Sequence, residues 1–206
     1  MTQSELPDIP EALIPVVSFV EGRLPPLECE AALASSPALE KLLLEAPPIS
    51  PYSSVNVTLF HYLIGLDYND PSDILNAQDA LRQFLAQHKI KVSPSREPSQ
   101  LYDLLLSAQP KWLCADSSYL ATLLKDAPDG SRTELRKWLQ KRILERFKFV
   151  SDPPRWIQSP NWPIGPNGPL VFLGQISIPN YFHDDAAAYV FHDPTTGACE
   201  TVIQVS

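Results

Sequence analysis

Proline divides this chain into short pieces. It fills 22 of the 206 positions, about twice the ordinary usage of roughly 5%. The prolines do not cluster into repeats. They stand between apolar runs, as at Pro25-Pro26, Pro47-Pro48 and Pro153-Pro154, and then at Pro160, Pro163, Pro166 and Pro169. Each one fixes its own φ and removes a backbone donor, so neither a helix interior nor a central strand runs through it. With seven glycines to set against them, the expectation is short elements joined by stiff loops.

The first two-thirds reads as helix. Leu27 to Ser35 and Pro37 to Glu45 carry Leu, Ala and Glu at helical spacing, with Ser36 placed to cap the second run. Ser53 to Gly65 fits both periods, and helix is favoured there. Asp70-Pro71 opens a further helix, with the aspartate as cap and the proline in the first turn. Ile74, Ala77, Leu81, Phe84 and Leu85 form its stripe, which runs to about His88. Helices are also expected over Pro98 to Ala108 and Asp116 to Asp126. Ser131 to Lys148 is the best marked: Ser131 and Glu134 have capping-box spacing, and Leu135, Trp138, Leu139, Ile143 and Phe147 share a stripe.

The texture changes near 149–154. LVFLGQISI (170–178) is a continuous apolar run, and AAYVFHD (187–193) and ETVIQVS (200–206) alternate. DPTTG (193–197) supplies turn chemistry between the last two. Arg155 to Gln158 is a candidate fourth strand. The expected class is α+β: a mainly helical region over 1–150, then a small antiparallel sheet of three to four strands over 151–206, packed on the helices as one globular unit.

Composition narrows the function. Apolar residues make up 44% and charged residues 19%, which suits a folded chain. No apolar run approaches the roughly 20 residues of a membrane span. The first residues, MTQSELPDIPEAL, lack the basic and apolar stretches of a secretory signal. The protein is therefore expected to be cytoplasmic, with no membrane partner. A net charge of −8 argues against nucleic acid as a partner. Cys29, Cys114 and Cys199 are far apart, which suits three small core residues in a reducing compartment better than a disulfide framework or a zinc knuckle. No phosphate loop, dinucleotide fingerprint or nucleophile elbow is present, and no cofactor is expected.

In the last third, Trp162-Pro163 is followed by Phe172-Leu173-Gly174-Gln175-Ile176, then by Tyr189-Val190-Phe191 leading into Asp193-Pro194. This pattern, over about 55 C-terminal residues, resembles the YwqG-like family of bacterial proteins. The resemblance implies a sheet-forming module with no settled enzymatic activity, of a kind found among toxin-immunity proteins. On the residues themselves, Phe172, Leu173 and Ile176 would pack, Gly174 allows a bulge or close approach, and Gln175 can bond backbone amides.

Three constellations are candidates for function. In FHDDAAAYVFHD (182–193), a metal or acid–base site would use His183, Asp184, Asp185 and His192, with His183, Asp185 and His192 as its catalytic groups. That site needs the loop before the strand to fold back over the His192 face. Otherwise the aspartates are turn residues. The second is the 131–148 helix, whose seven basic residues outnumber its two acids by five charges. Arg132, Arg136, Arg142 and Arg146 fall among its apolar stripe. They are read either as an interface for an acidic partner or phosphate or as groups paired with the chain's own acids. The third is RWIQSPNWPIGPNGP (155–169), in which Trp156 and Trp162 either form a binding surface or plug the seam between helices and sheet.

The expected function is protein–protein binding, with a toxin as the partner and this chain as its immunity-type protein. A metal-dependent hydrolase using the 183–192 cluster is the alternative.

Overall fold

A computed structural model describes residues 9–178 and 184–206. The chain forms two compact units, which divide between Tyr102 and Asp103.

The first unit is helical. Its helices are α1 (Ile14–Val20), α2 (Pro26–Ser35), α3 (Pro37–Leu44), α4 (Leu59–Ile64) and α5 (Pro71–Gln87), followed by the first half of α6 (Glu97–Ala108). Proline sets where they begin. It lies in the first two positions of α1, α2, α3 and α5, where the amide it lacks would have no partner. Ser36 caps α3 by accepting from the Leu39 amide, and Asp70 caps α5 by accepting from Ser72. The 53–65 stretch is helical over its second half alone: Thr58 caps α4, while Val55 and Val57 lie exposed before it. The core joins Val16 and Val20 to Leu33, Leu39, Leu43, Leu59, Leu63, Leu81, Phe84 and Leu85. Gln78 is buried within this unit. Its amide donates to Val20 O at 2.9 Å and Ser95 O at 3.1 Å, tying the segment after α5 to the end of α1.

The second unit holds the rest of α6, then α7 (Ser117–Leu123), a 3-10 turn over Leu124–Asp126 and α8 (Arg132–Arg146). A two-stranded ribbon follows, β1 (Ile164–Gly165) with β2 (Gly168–Pro169). Three antiparallel strands complete it in the order β3-β4-β5: β3 (Val171–Ser177), β4 (Ala186–His192) and β5 (Cys199–Val205). The α+β class holds, with helices first and the sheet last. The register slips between Phe172 and Gly174, which leaves Leu173 as the unpaired residue of a bulge beside the glycine. Gly197, at φ 75°, closes the β4–β5 turn. Residues 155–158 are not a strand; side chains hold them, as described below. The change of texture near 149–154 marks the passage from helix to strand inside this unit. The units divide earlier, because Phe147 and Trp162 belong to the same core as the sheet residues Phe172, Tyr189 and Phe191.

Candidate functional site

The arginine helix α8 starts on a complete capping box. The Ser131 side chain accepts from the Glu134 amide, and the Glu134 carboxylate accepts from the Ser131 amide at 2.7 Å. Those bonds hold the glutamate below the usual carboxylate range. Leu139, Ile143 and the following Phe147 are buried, which fixes the rotation of the helix and so where its arginines point.

The four arginines separate into two pairs. Arg132 approaches Asp103 at 3.8 Å, and Arg136 Nε donates to Ser107 O at 3.0 Å. Both are spent on the C-terminal half of α6. Further along, Arg142 bonds Glu145 at 2.9 Å and lies 5.1 Å over the Trp138 ring, a cation–π contact. Arg146 forms no ion pair among the described residues.

Arg142 and Arg146 line a cleft of about 290 Å³ with Tyr119, Asp126, Asn167 and Gly168. Local chemistry positions each wall. Asp116 caps α7 through the amides of Ser118 and Tyr119, and the Tyr119 ring meets Phe147 edge-on at 5.8 Å. Burial pushes the Tyr119 hydroxyl up, against the pull of Arg146, so it stays protonated at neutral pH. Asn167 lies in the turn of the β1–β2 ribbon. Gly168 has φ 119°, and a Cβ there would sit 3.7 Å from the Tyr119 oxygen; only glycine takes this backbone shape comfortably. The site is thus two guanidiniums, a phenol and an amide facing one carboxylate.

The Trp/Pro loop is built into the seam. Trp162 is 5% exposed, and its Nε1 donates to Leu170 O at 2.8 Å. Its ring lies 5.5 Å from Trp112, 5.5 Å from Phe147 and 5.3 Å from Phe191. Trp156 is half-buried. Its Nε1 donates to Trp112 O at 2.8 Å, and its ring lies 4.4 Å from Tyr189. The sheet's side chains then bind the loop's backbone. Tyr189 donates to Arg155 O at 3.0 Å and accepts from Ile157 N at 2.9 Å. Gln204, also 5% exposed, accepts from the Ile157 and Gln158 amides and donates to Ser159 O at 2.8 Å. Gln175 accepts from Arg155 N at 2.7 Å. Of the two uses open to the tryptophans, the structure places both indoles in the seam, and Trp162 has no surface to offer a partner. Sequence reasoning missed Gln204. Its one signal was alternation, which sets it on the same side of β5 as Val202.

The described members of the 183–192 cluster, Asp184, Asp185 and His192, do not come together. His183 lies outside the described residues. Asp184 and Asp185 precede β4, and the Asp185 carbonyl accepts from Ser206 N. His192 ends the same strand, paired with Val171 and Cys199. A strand of this length at roughly 3.3 Å per residue holds the two ends about 20 Å apart. Asp193 is committed to its turn, accepting from the Thr195 amide at 2.8 Å and the Thr196 hydroxyl at 2.9 Å. Among the described residues no group of three or more His, Cys, Asp or Glu is placed to hold a metal. Cys29 is buried and its thiol is pushed up to about 12 by burial, which makes it a poor nucleophile. Cys114 and Cys199 are free and exposed, so of the three cysteines expected in the core only Cys29 lies there. No helix among the described residues is long and apolar enough to cross a membrane.

The chain matches no protein-family model, no curated protein and no solved structure.

Proposed function

We propose that this protein acts in the bacterial cytoplasm by binding another protein, as the immunity-type partner of a toxin, with its C-terminal third serving as a YwqG-like sheet module. The observation that carries the reading is the far end of α8. Arg146 is exposed and without an ion pair among the described residues, beside Arg142, in a cleft. An unpaired arginine is a common anchor at protein interfaces. The chain's net charge of −8 favours a partner whose surface is basic overall but presents an acid at this point.

The test is co-expression with each protein encoded beside it, read by size exclusion at two salt concentrations. A stoichiometric complex that weakens with salt and with Arg142→Gln/Arg146→Gln is the expected result. If none of the co-encoded proteins binds, the reading fails.

A further inference from the structure

The cleft at the end of α8 has the chemistry of an oxyanion site. Arg142 and Arg146 are four residues apart on one helix, so their side chains project over the same patch. Arg142 holds its position through the Trp138 face and Glu145. That bond occupies Nη1 and leaves other guanidinium donors of its planar fork. Arg146 has its whole fork available. The Tyr119 hydroxyl also makes no hydrogen bond among the described residues, and it borders the same space. Gly168, at φ 119°, brings the ribbon's backbone beside the phenol oxygen, which a Cβ there would touch at 3.7 Å.

Asp126 lines the cleft too. It forms no ion pair with either arginine among the described residues, so it lowers the local potential without filling the site. Among the lining residues two guanidiniums face one carboxylate, and Glu145 further offsets Arg142, so the cleft suits one anionic group and not a polyanion.

We propose that this cleft binds one oxyanion borne on a segment of the protein partner. The group is either an Asp or Glu carboxylate or the phosphate of a modified side chain, held by Arg146 and Arg142 with the Tyr119 hydroxyl as a third donor. The assignment rests on the protein-binding reading above and gives that reading its ligand chemistry. Guanidinium forks match the paired oxygens of both groups, and such charge-assisted bonds are the stronger ones.

The experiment titrates the full chain with three short peptides alike except at the centre: glutamate, phosphoserine and glutamine. Amide shifts of Asn167 and Gly168 in nuclear magnetic resonance spectra report occupancy. The glutamate or the phosphoserine peptide is expected to shift both amides saturably, and the glutamine peptide to leave them unmoved. Whichever acid binds identifies the source. Arg146→Gln is expected to weaken binding about tenfold or more, with an unchanged melting temperature. Asp126→Asn is expected to tighten it by about two- to fivefold. Lys137→Gln, on the far side of the helix, changes nothing. Binding by neither acidic peptide, or binding indifferent to Arg146→Gln, overturns the assignment. The two readings fail separately. An identified partner that binds Arg146→Gln as tightly as wild type removes the cleft and leaves protein binding. Peptide binding with no co-encoded partner does the reverse.

Discussion

Gln204 substitutes for a strand. The loop at 155–159 crosses the sheet without pairing to it, and backbone groups left unpaired in a part-buried place are costly. One amide side chain, helped by the Tyr189 hydroxyl, meets those donors and acceptors. Gln204→Leu keeps the bulk and takes the partner from Gln158 N and Ser159 O, while Ile157 N keeps the Tyr189 hydroxyl, so it is expected to destabilise by about 1–3 kcal/mol in urea denaturation; a loss under about 0.5 kcal/mol would contradict this account. Trp162 makes a graded pair. Trp162→Ala should cost about 3–5 kcal/mol, and Trp162→Phe, which keeps a ring but loses the bond to Leu170 O, about 1–2 kcal/mol. Neither residue's role is written in its neighbours. The prolines show that the loop is stiff, but not that the indole turns inward, since Phe147, Phe172 and Phe191 lie at other points of the chain.

At the scale of elements, legibility follows sequence distance. The caps of α3, α5 and α8 were readable because each is settled within three residues. Ser131→Ala should cost about 1 kcal/mol by thermal melting. The partners of Arg132 and Arg136 were not readable, because Asp103 and Ser107 come from another helix. The 155–158 segment has strand-like residues, and what it lacks is a neighbouring strand, which no local pattern reports. On α5, Asp79 accepts from Arg82, Tyr52 and Gln83. Burial raises its carboxyl, but those three partners together hold it lowered. A depressed folded value stabilises the protein above the unfolded value, near ~4, and that contribution is lost as pH falls through the folded one. Asp79→Asn should therefore reduce the urea midpoint clearly at pH 7, and the gap to wild type should narrow by pH 3.

At the scale of the molecule, each unit has its own buried core. All four tryptophans, Trp112, Trp138, Trp156 and Trp162, fall after the division at Tyr102/Asp103. Tryptophan emission therefore reports the second unit alone, while far-ultraviolet dichroism also sees α1 to α5. Phe84→Ala, in the first core, should cost about 3–5 kcal/mol. It is expected to shift the dichroism transition and leave the emission midpoint in place; a common shift would show the two cores melting as one. The division itself was hidden from the sequence, whose visible break is the change of period after α8. A three-stranded sheet also has two open sides, and open strand sides recruit other chains. Here the segment leaving α8 lies along β3: Phe172 N donates to Lys148 O at 2.9 Å, and Val150 N donates to Phe172 O at 3.1 Å. That short pairing works as a stopper on the sheet, close to the exposed Leu173 and Ile176. Val150→Pro removes one of the two bonds, and the protein is then expected to turn turbid at concentrations where wild type stays clear. Lys148 to Val150, which belong to neither helix nor strand, thus guard one side of the sheet against a second copy of the chain.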